Sequence, residues 1–224
     1  MYSFKDYAGE SNELVALIRQ RNARARSLLD VACGTGLHLS HLRAAFPDVA
    51  GVDVEAAMLA VARKRLEGVP LHRADMRDMA LGQRFDAVTC LFSSVGYLPG
   101  AEDLDLAVAR MAAHLSPGGV LVIDGWVRPD RWREPGLVHA DAQTGAELAV
   151  ARLSRSRRDG AHTVLDMRYL IGTSEGIESA EERHELTLFA DEEYRRAFGR
   201  AGLSAEVVPS PMGPDRDRYV AVAP

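Results

Sequence analysis

The 224-residue sequence has few cysteines, and their number limits the chemistry that it can support. Cys33 and Cys90 are the only two. They form neither a Cys-x-x-Cys pair nor a set with nearby histidines at metal-site spacing, so the sequence predicts no metal. A disulfide between them is also not expected, because a reducing compartment keeps thiols free.

The sequence also lacks a strong charge of either sign and a long apolar run. It has 27 Lys and Arg residues against 32 Asp and Glu residues, a net charge of −5, and no basic stripe that would suit a nucleic acid. No apolar run approaches the roughly 20 residues that a membrane helix needs. No signal peptide or Lys-rich amphipathic helix is apparent. The sequence therefore predicts a soluble, cytoplasmic protein with no nucleic-acid or membrane partner.

An apolar stretch that runs into a Gly-x-Gly turn is the most informative segment of the chain. It reads Leu28-Leu29-Asp30-Val31-Ala32-Cys33-Gly34-Thr35-Gly36, and apolar residues at helical spacing follow it as far as Phe46. The pattern predicts a buried parallel strand, a tight loop and a helix. Because the two glycines carry no Cβ and can adopt positive φ, a ligand can lie directly against this loop, near the N–H groups of the helix start.

The spacing of this loop argues against a dinucleotide site. Such a site has the pattern Gly-x-Gly-x-x-Gly, in which the third glycine lets the helix pack closely on the strand, but residue 39 is leucine. A purely structural turn remains an alternative on the Gly-x-Gly pattern alone. A second predicted strand, residues 49–53, ends in Asp53. We interpret this carboxylate as an acceptor for two ribose hydroxyls, with an ion-paired or solvated Asp53 as the alternative.

Apolar strands and amphipathic helices alternate over the first 124 residues. The pattern predicts helices at 11–21, 37–46, 56–66 and 101–115 and strands at 28–32, 49–53, 69–74, 85–92 and 120–124. This rhythm is typical of a doubly wound, mostly parallel α/β sheet. Ligands of such sheets bind at the carboxyl ends of the strands, where the glycine loop, Asp53 and Asp75 would form one pocket.

The rhythm changes after Gly125. Residues 126–190 lack a helical period and contain alternating segments at 148–153, 163–171 and 182–189, which predicts an inserted antiparallel sheet. A last helix is expected from Asp191, as N-cap, to Arg200, followed by an antiparallel pair of strands at the sheet edge. The predicted organisation is an α/β core at 1–125, an inserted sheet at 126–190, and a C-terminal part at 191–224 that completes the core.

The stretch from Asp30 to Gly36 resembles motif I of the class I methyltransferases, which use S-adenosylmethionine. Four further segments are similar to the N,N-dimethyltransferases that act on nucleotide-linked amino sugars in actinobacterial antibiotic pathways: Lys5-Asp6-Tyr7-Ala8, Asp75-Met76-Arg77-Asp78, residues 85–94, and residues 185–189 with Tyr194 and Phe198. The resemblance covers nearly the whole chain. It implies the class I methyltransferase fold, a donor pocket at the strand ends, and an inserted sheet that helps to form the acceptor site and a homodimer.

The resemblance also implies a set of donor-binding residues in and around the predicted loops, namely Asp30, Ala32, Gly34, Gly36, Asp53, Val54, Asp75, Met76 and Leu91. Gly34 and Gly36 would lie against the methionyl part of S-adenosylmethionine. Asp30 would orient the loop that carries them. Asp53 would hold the ribose. Asp75 and Met76 would frame the adenine, the first by a hydrogen bond to its amino group and the second by apolar contact.

Candidates for the acceptor side follow from the chemistry of amine methylation. The transfer is an in-line displacement at a carbon that a sulfonium already activates, so alignment and desolvation matter more than covalent catalysis. Tyr97 follows the fourth strand, and we expect it to face the donor methyl group as an orienting hydrogen-bond partner. The alternative is that Tyr97 only forms an aromatic wall of the pocket. His184, on the inserted sheet, is the second catalytic candidate, with a solvated strand position as the alternative. Trp126 is a further candidate to line the acceptor site, with core packing as the alternative.

The N-terminal segment and residue 97 differ from what the resemblance implies. Relatives of this kind have further residues before the segment that starts at Lys5, including a tyrosine near the acceptor, which Tyr2 or Tyr7 would replace unless that lid is absent. They also have histidine where this chain has Tyr97. The sequence predicts an S-adenosylmethionine-dependent methyltransferase that adds one or two methyl groups to a nucleotide-linked deoxyamino sugar. Another small-molecule N- or O-methyltransferase and a non-catalytic donor-binding protein remain alternatives.

Overall fold

A computed structural model describes residues 6–224 and contains a seven-stranded sheet and a four-stranded sheet. The first half of the chain alternates strands with helices: α1 Tyr7–Arg21, β1 Ser27–Val31, α2 Leu37–Leu42, β2 Asp48–Asp53, α3 Ala56–Arg65, β3 Leu71–Arg73, β4 Phe85–Cys90, α4 Ala101–Ala113 and β5 Leu115–Asp124. A short 3₁₀ turn, Ser94–Tyr97, lies between β4 and α4.

Four long strands follow β5, and then a helix and two strands return to the first sheet. They are β6 Val138–Thr144, β7 Ala149–Asp159, β8 His162–Thr173, β9 Gly176–Thr187, α5 Asp191–Arg200, β10 Glu206–Pro209 and β11 Asp217–Val222. The four form an antiparallel sheet in chain order, which is the predicted insertion. Its first strand, β6, was not predicted, because its small and polar residues carry no alternating apolar signal.

The seven-stranded sheet has the order β10-β11-β5-β4-β1-β2-β3. The strands from β5 to β3 pair in parallel, and β11 pairs antiparallel with both β5 and β10 at one edge. The central strands are buried on both faces: Leu29 packs with α4 and α5 on one side, and Leu28 packs with α1, α2 and α3 on the other. The doubly wound, mostly parallel class I methyltransferase architecture is confirmed.

Several predicted boundaries and faces were wrong. The helix α1 begins at Tyr7 because the Asp6 side chain accepts the Gly9 N–H at 2.8 Å and caps it. In α3, the apolar spacing predicted that Met58 and Val61 face inward with Ala62, but these two residues are 45% and 44% exposed, and the buried residues of the helix are Leu59 and Ala62. The apolar residues of this helix surround it too evenly for the sequence to fix its inner face.

Two ends of helices also differ from expectation. The helix α2 stops at Leu42, although Phe46 is buried as its apolar spacing predicted. The N-cap of α5 is Ala190 rather than Asp191, and the Glu193 carboxylate accepts the Ala190 N–H at 2.7 Å. Within residues 6–224, no helix is long and apolar enough to cross a membrane.

Candidate active site

A cavity of about 200 Å³ lies at the carboxyl ends of β1, β2 and β3. Five of the predicted donor-binding residues line it, namely Ala32, Asp53, Val54, Asp75 and Met76. Tyr97, the first catalytic candidate, lines it as well. The strand ends therefore bring together side chains that lie up to 65 residues apart in the sequence.

The two glycines of the loop after β1 are required for different reasons. Both have positive φ, 56° at Gly34 and 73° at Gly36. A Cβ on Gly36 would lie 2.4 Å from the side chain of Leu66, the residue after α3, and 3.4 Å from the Cβ of Ala62, so the C-terminal end of α3 packs directly against Gly36. A Cβ on Gly34 would meet no described atom within 4 Å. Gly34 therefore has open space beside its backbone, although neither glycine is among the residues that line the cavity, whereas Gly36 is needed for packing as well as for its backbone angle.

The Asp53 carboxylate ties the glycine loop to the end of β2. One oxygen accepts the Gly34 N–H at 2.7 Å, and the other accepts the Glu55 N–H at 2.8 Å. The residue is only 8% exposed and lines the cavity. An ionised carboxylate has about four lone-pair sites, so Asp53 keeps acceptor capacity for the hydroxyls of a ribose.

Asp30 lies beneath the loop rather than on the cavity wall. It is 2% exposed, and the Thr89 hydroxyl donates to it at 2.8 Å. Burial raises the pKa of this carboxyl to about 6, and the neighbouring Asp53 and Asp124 also raise it, although His38 and the Thr89 hydrogen bond act in the opposite direction. The predicted donor residue Leu91 is likewise buried, at 5% exposure, in the apolar core.

Asp75 forms an ion pair that the sequence analysis did not anticipate. Arg77 donates to both of its oxygens, at 3.0 and 2.6 Å, and reaches Asp103 of α4 at 2.9 Å. The hydrogen bond from Arg77 lowers the pKa of Asp75. Asp75 is therefore held as a carboxylate at the cavity edge. The Asp-x-Arg spacing was the available signal for this pair.

The loop that carries Tyr97 is anchored to the core by buried polar groups. Asp124, at the end of β5, accepts the Phe92 N–H at 3.1 Å and pairs with Arg218 at 2.6 Å. The Ser93 hydroxyl donates to the Gly125 carbonyl at 2.7 Å. Sequence reasoning missed these anchors, because their partners come together only when β5, β11 and the loop are assembled.

The two catalytic candidates meet across the two sheets. The Tyr97 hydroxyl lies 2.9 Å from His184 Nδ1, although 87 residues separate them in the chain. Their rings pack edge to face at 5.9 Å. Tyr97 is 56% exposed and lines the cavity, so it is accessible to solvent there.

Trp126 and Tyr7, two further candidates for the acceptor site, each contact other side chains. The Trp126 indole donates to the Thr163 hydroxyl at 2.8 Å, and the Arg216 guanidinium stacks 4.1 Å from the centre of its ring. Tyr7 packs against His38, at the start of α2, with ring centres 4.9 Å apart. Tyr2, the other candidate for the N-terminal lid, lies outside the described residues. No cluster that could hold a metal ion is found within residues 6–224.

Comparisons with known proteins agree with this geometry. Residues 28–119 match the model of a methyltransferase domain family. The chain is 48% identical, over 92% of its length and 80% of the relative's, to a dTDP-3-amino-3,6-dideoxy-alpha-D-glucopyranose N,N-dimethyltransferase of Streptomyces fradiae. The fold matches the crystal structure of Streptomyces venezuelae DesVI with a TM-score of 0.94 and 43% identity, covering 98% of this chain and 93% of that one. It also matches the S-adenosylmethionine-bound amino pentose methyltransferase CalS10 of Micromonospora echinaspora, with a TM-score of 0.90, 42% identity, and coverage of 98% and 92%.

Proposed function

The chain belongs to the S-adenosylmethionine-dependent methyltransferase family that includes the dTDP-amino sugar N,N-dimethyltransferases, and from this membership we propose that it methylates the amino group of a dTDP-linked deoxyamino sugar twice. The observation that carries the proposal is the contact between Tyr97, on the wall of the donor cavity, and His184, on the inserted sheet. That contact places an exposed hydrogen-bonding group between a donor site and a second surface, as a two-substrate transfer requires.

The residues of the cavity fit S-adenosylmethionine. The bare backbone at Gly34 accommodates the methionyl part, the remaining acceptor sites of Asp53 suit the ribose hydroxyls, and Asp75 with Met76 suits the adenine. S-adenosylmethionine supplies an electrophilic methyl group on a sulfonium. The protein holds it, excludes water and places the acceptor amine in line with the carbon–sulfur bond.

On the acceptor side, the proposed roles are orientation and enclosure. Tyr97 and His184 orient the amine, and the fixed indole of Trp126 lines the sugar site. Tyr7, from α1, would close the site from the side of the glycine loop. The amine must react as a neutral nucleophile, so each transfer ends with loss of a proton to solvent.

We also propose that the outer face of the inserted sheet forms a homodimer contact. Strand pairing places Ala140, Ala151 and Leu170 on the face opposite His184. Leu170 is 56% exposed there, and Arg168 and Glu181 add charges of both signs. An apolar face with balanced charge suits a twofold contact with a second copy of the same chain. The cytoplasmic location remains a prediction.

Mass spectrometry tests the substrate assignment. The protein is incubated with S-adenosylmethionine and a panel of dTDP-linked 3-amino and 4-amino deoxysugars. We expect one panel member to gain one methyl group and then a second. If no member gains mass while calorimetry shows intact donor binding, the sugar assignment is wrong and another small-molecule acceptor must be sought.

A further inference from the structure

A chain of four hydrogen-bonding side chains runs from the donor cavity into the inserted sheet. The Tyr97 hydroxyl meets His184 Nδ1 at 2.9 Å, and His184 Nε2 faces Glu182 Oε2 at 3.4 Å. The Tyr169 hydroxyl donates to the same Glu182 oxygen at 2.7 Å. Glu182 and His184 are two residues apart on β9 and therefore share one face of the sheet.

The order of these groups determines where each proton lies. A carboxylate can only accept hydrogen bonds, so the nitrogen that faces Glu182 carries the imidazole proton. In the neutral ring the other nitrogen, Nδ1, is then an acceptor. The Tyr97 hydroxyl then donates its proton to Nδ1, and the lone pairs of its oxygen can accept a hydrogen bond.

The side chain of Glu182 is 54% exposed, so its position depends on a second contact. That contact comes from Tyr169, which lies one strand away on β8 and is 9% exposed. A buried phenol that donates to the carboxylate holds it beside the imidazole. Tyr169 and Glu182 thus complete the series of hydrogen bonds that ends at the Tyr97 oxygen.

We infer that Glu182, acting through His184, is a positioning residue that makes the Tyr97 oxygen an acceptor for the N–H of the substrate amine. The inference rests on the proposed function. An amine that donates an N–H to Tyr97 has its single lone pair directed elsewhere, and this pair is the nucleophile. The contact therefore selects the orientation in which the lone pair can face the donor methyl carbon.

The same contact explains why the reaction would stop after two transfers. Each transfer breaks the carbon–sulfur bond of the donor, forms a carbon–nitrogen bond, and is followed by loss of one proton from nitrogen to solvent. A primary amine has two N–H groups, and the monomethylated amine has one. The neutral dimethylated amine has none, so it can no longer donate to Tyr97 and is not oriented for a third transfer.

Nitrogen-15 NMR of the histidine side chains tests the proton positions directly. We expect His184 of the wild-type protein to be protonated on Nε2, with its resonances identified by their loss in His184→Asn. In Glu182→Ala the preference should disappear and both tautomers should be observed. A wild-type His184 protonated on Nδ1 would overturn the inference.

Kinetics of Glu182→Ala test the functional consequence. We expect kcat for the amino sugar to fall about fivefold while the affinity for S-adenosylmethionine is unchanged. Glu178→Ala is the matched control, because Glu178 is an exposed residue on the same strand and the same face, four positions away. Thermal unfolding shows whether each variant is folded.

The failure of this inference is distinguishable from failure of the proposed function. If the wild-type protein methylates no amino sugar, the proposed function falls. If the wild-type protein is active and folded Glu182→Ala has the same kcat, Glu182 does not position Tyr97, and only the inference is wrong.

Discussion

The two sides of the proposed active site, the donor side and the acceptor side, are built in different ways. On the donor side, the glycine loop, Asp53 and Asp30 are fixed by backbone hydrogen bonds and burial within the α/β core. On the acceptor side, partly exposed side chains of the inserted sheet hold Tyr97. The donor side is thus part of the fold itself, whereas the acceptor side depends on a few contacts that can change without unfolding the protein.

The largest expected effect is on the free energy of unfolding, and it comes from Asp30 on the donor side. Burial raises the pKa of Asp30 to about 6 from the ordinary 3.8, so between these values the folded state binds more protons than the unfolded state. The contribution of Asp30 to stability therefore falls as pH rises through this range, by about 3 kcal/mol in total. We expect this fall to be absent in Asp30→Asn. Denaturant unfolding at several pH values, compared between the two proteins, measures it. If the free energies of unfolding of the wild type and of Asp30→Asn changed with pH in the same way, Asp30 would have the same pKa in the folded and unfolded states.

Removal of Asp53 should have the next largest effect. Asp53→Ala deletes the acceptor for the Gly34 and Glu55 N–H groups and, by our proposal, for the ribose hydroxyls. We expect the affinity for S-adenosylmethionine to fall more than about tenfold, or 1.4 kcal/mol, by calorimetry. Asp48→Ala is the control, because Asp48 is exposed at the other end of the same strand. Equal affinity of Asp53→Ala and wild type would remove Asp53 from the site.

Substitution of Tyr97 should lower turnover, which depends on the acceptor side, without changing donor affinity, which depends on the donor side. Tyr97→Phe keeps the ring on the cavity wall and removes the hydroxyl that contacts His184. We expect turnover of the amino sugar to fall five- to tenfold, the value of one hydrogen bond, with donor affinity near that of the wild type. Unchanged turnover would mean that Tyr97 acts only as a wall residue.

The smallest effect on the chemistry is expected at the outer face of the inserted sheet. Leu170→Glu places a charge in the proposed homodimer contact. We expect sedimentation velocity to show a monomer in place of a dimer, with donor affinity unchanged because the α/β core is not involved. A wild-type protein that sediments as a monomer would contradict the proposed contact.

The same difference between the two sides explains what the sequence could predict. The donor side follows local patterns: a strand, a Gly-x-Gly turn and an aspartate at the next strand end. Those patterns put Asp53 and Asp75 at neighbouring strand ends, and both line the cavity, together with Ala32, Val54 and Met76, which the resemblance implied. They did not reveal that Gly36 packs against Leu66, since that contact depends on how α3 lies across the loop.

The acceptor side depends on contacts between distant segments. Tyr97 and His184 were both predicted as candidates from the sequence, but their contact with each other was not predicted. Glu182 and Tyr169 were not singled out, because their contact forms only when β8 pairs with β9 and no spacing within either strand indicates it. The core anchor formed by Asp124 and Arg218 was missed because these two residues come together only when β11 pairs with β5.

The contact between Tyr97 and His184 has a thermodynamic consequence for the affinities of the two substrates. It is a side-chain link between the wall of the donor cavity and the acceptor surface. If occupation of one site changes the free energy of this link, it changes affinity at the other site. Linkage then requires that the donor alters acceptor affinity by the same factor as the acceptor alters donor affinity. The two binding events are thus cooperative to the extent that this one hydrogen bond responds to either of them.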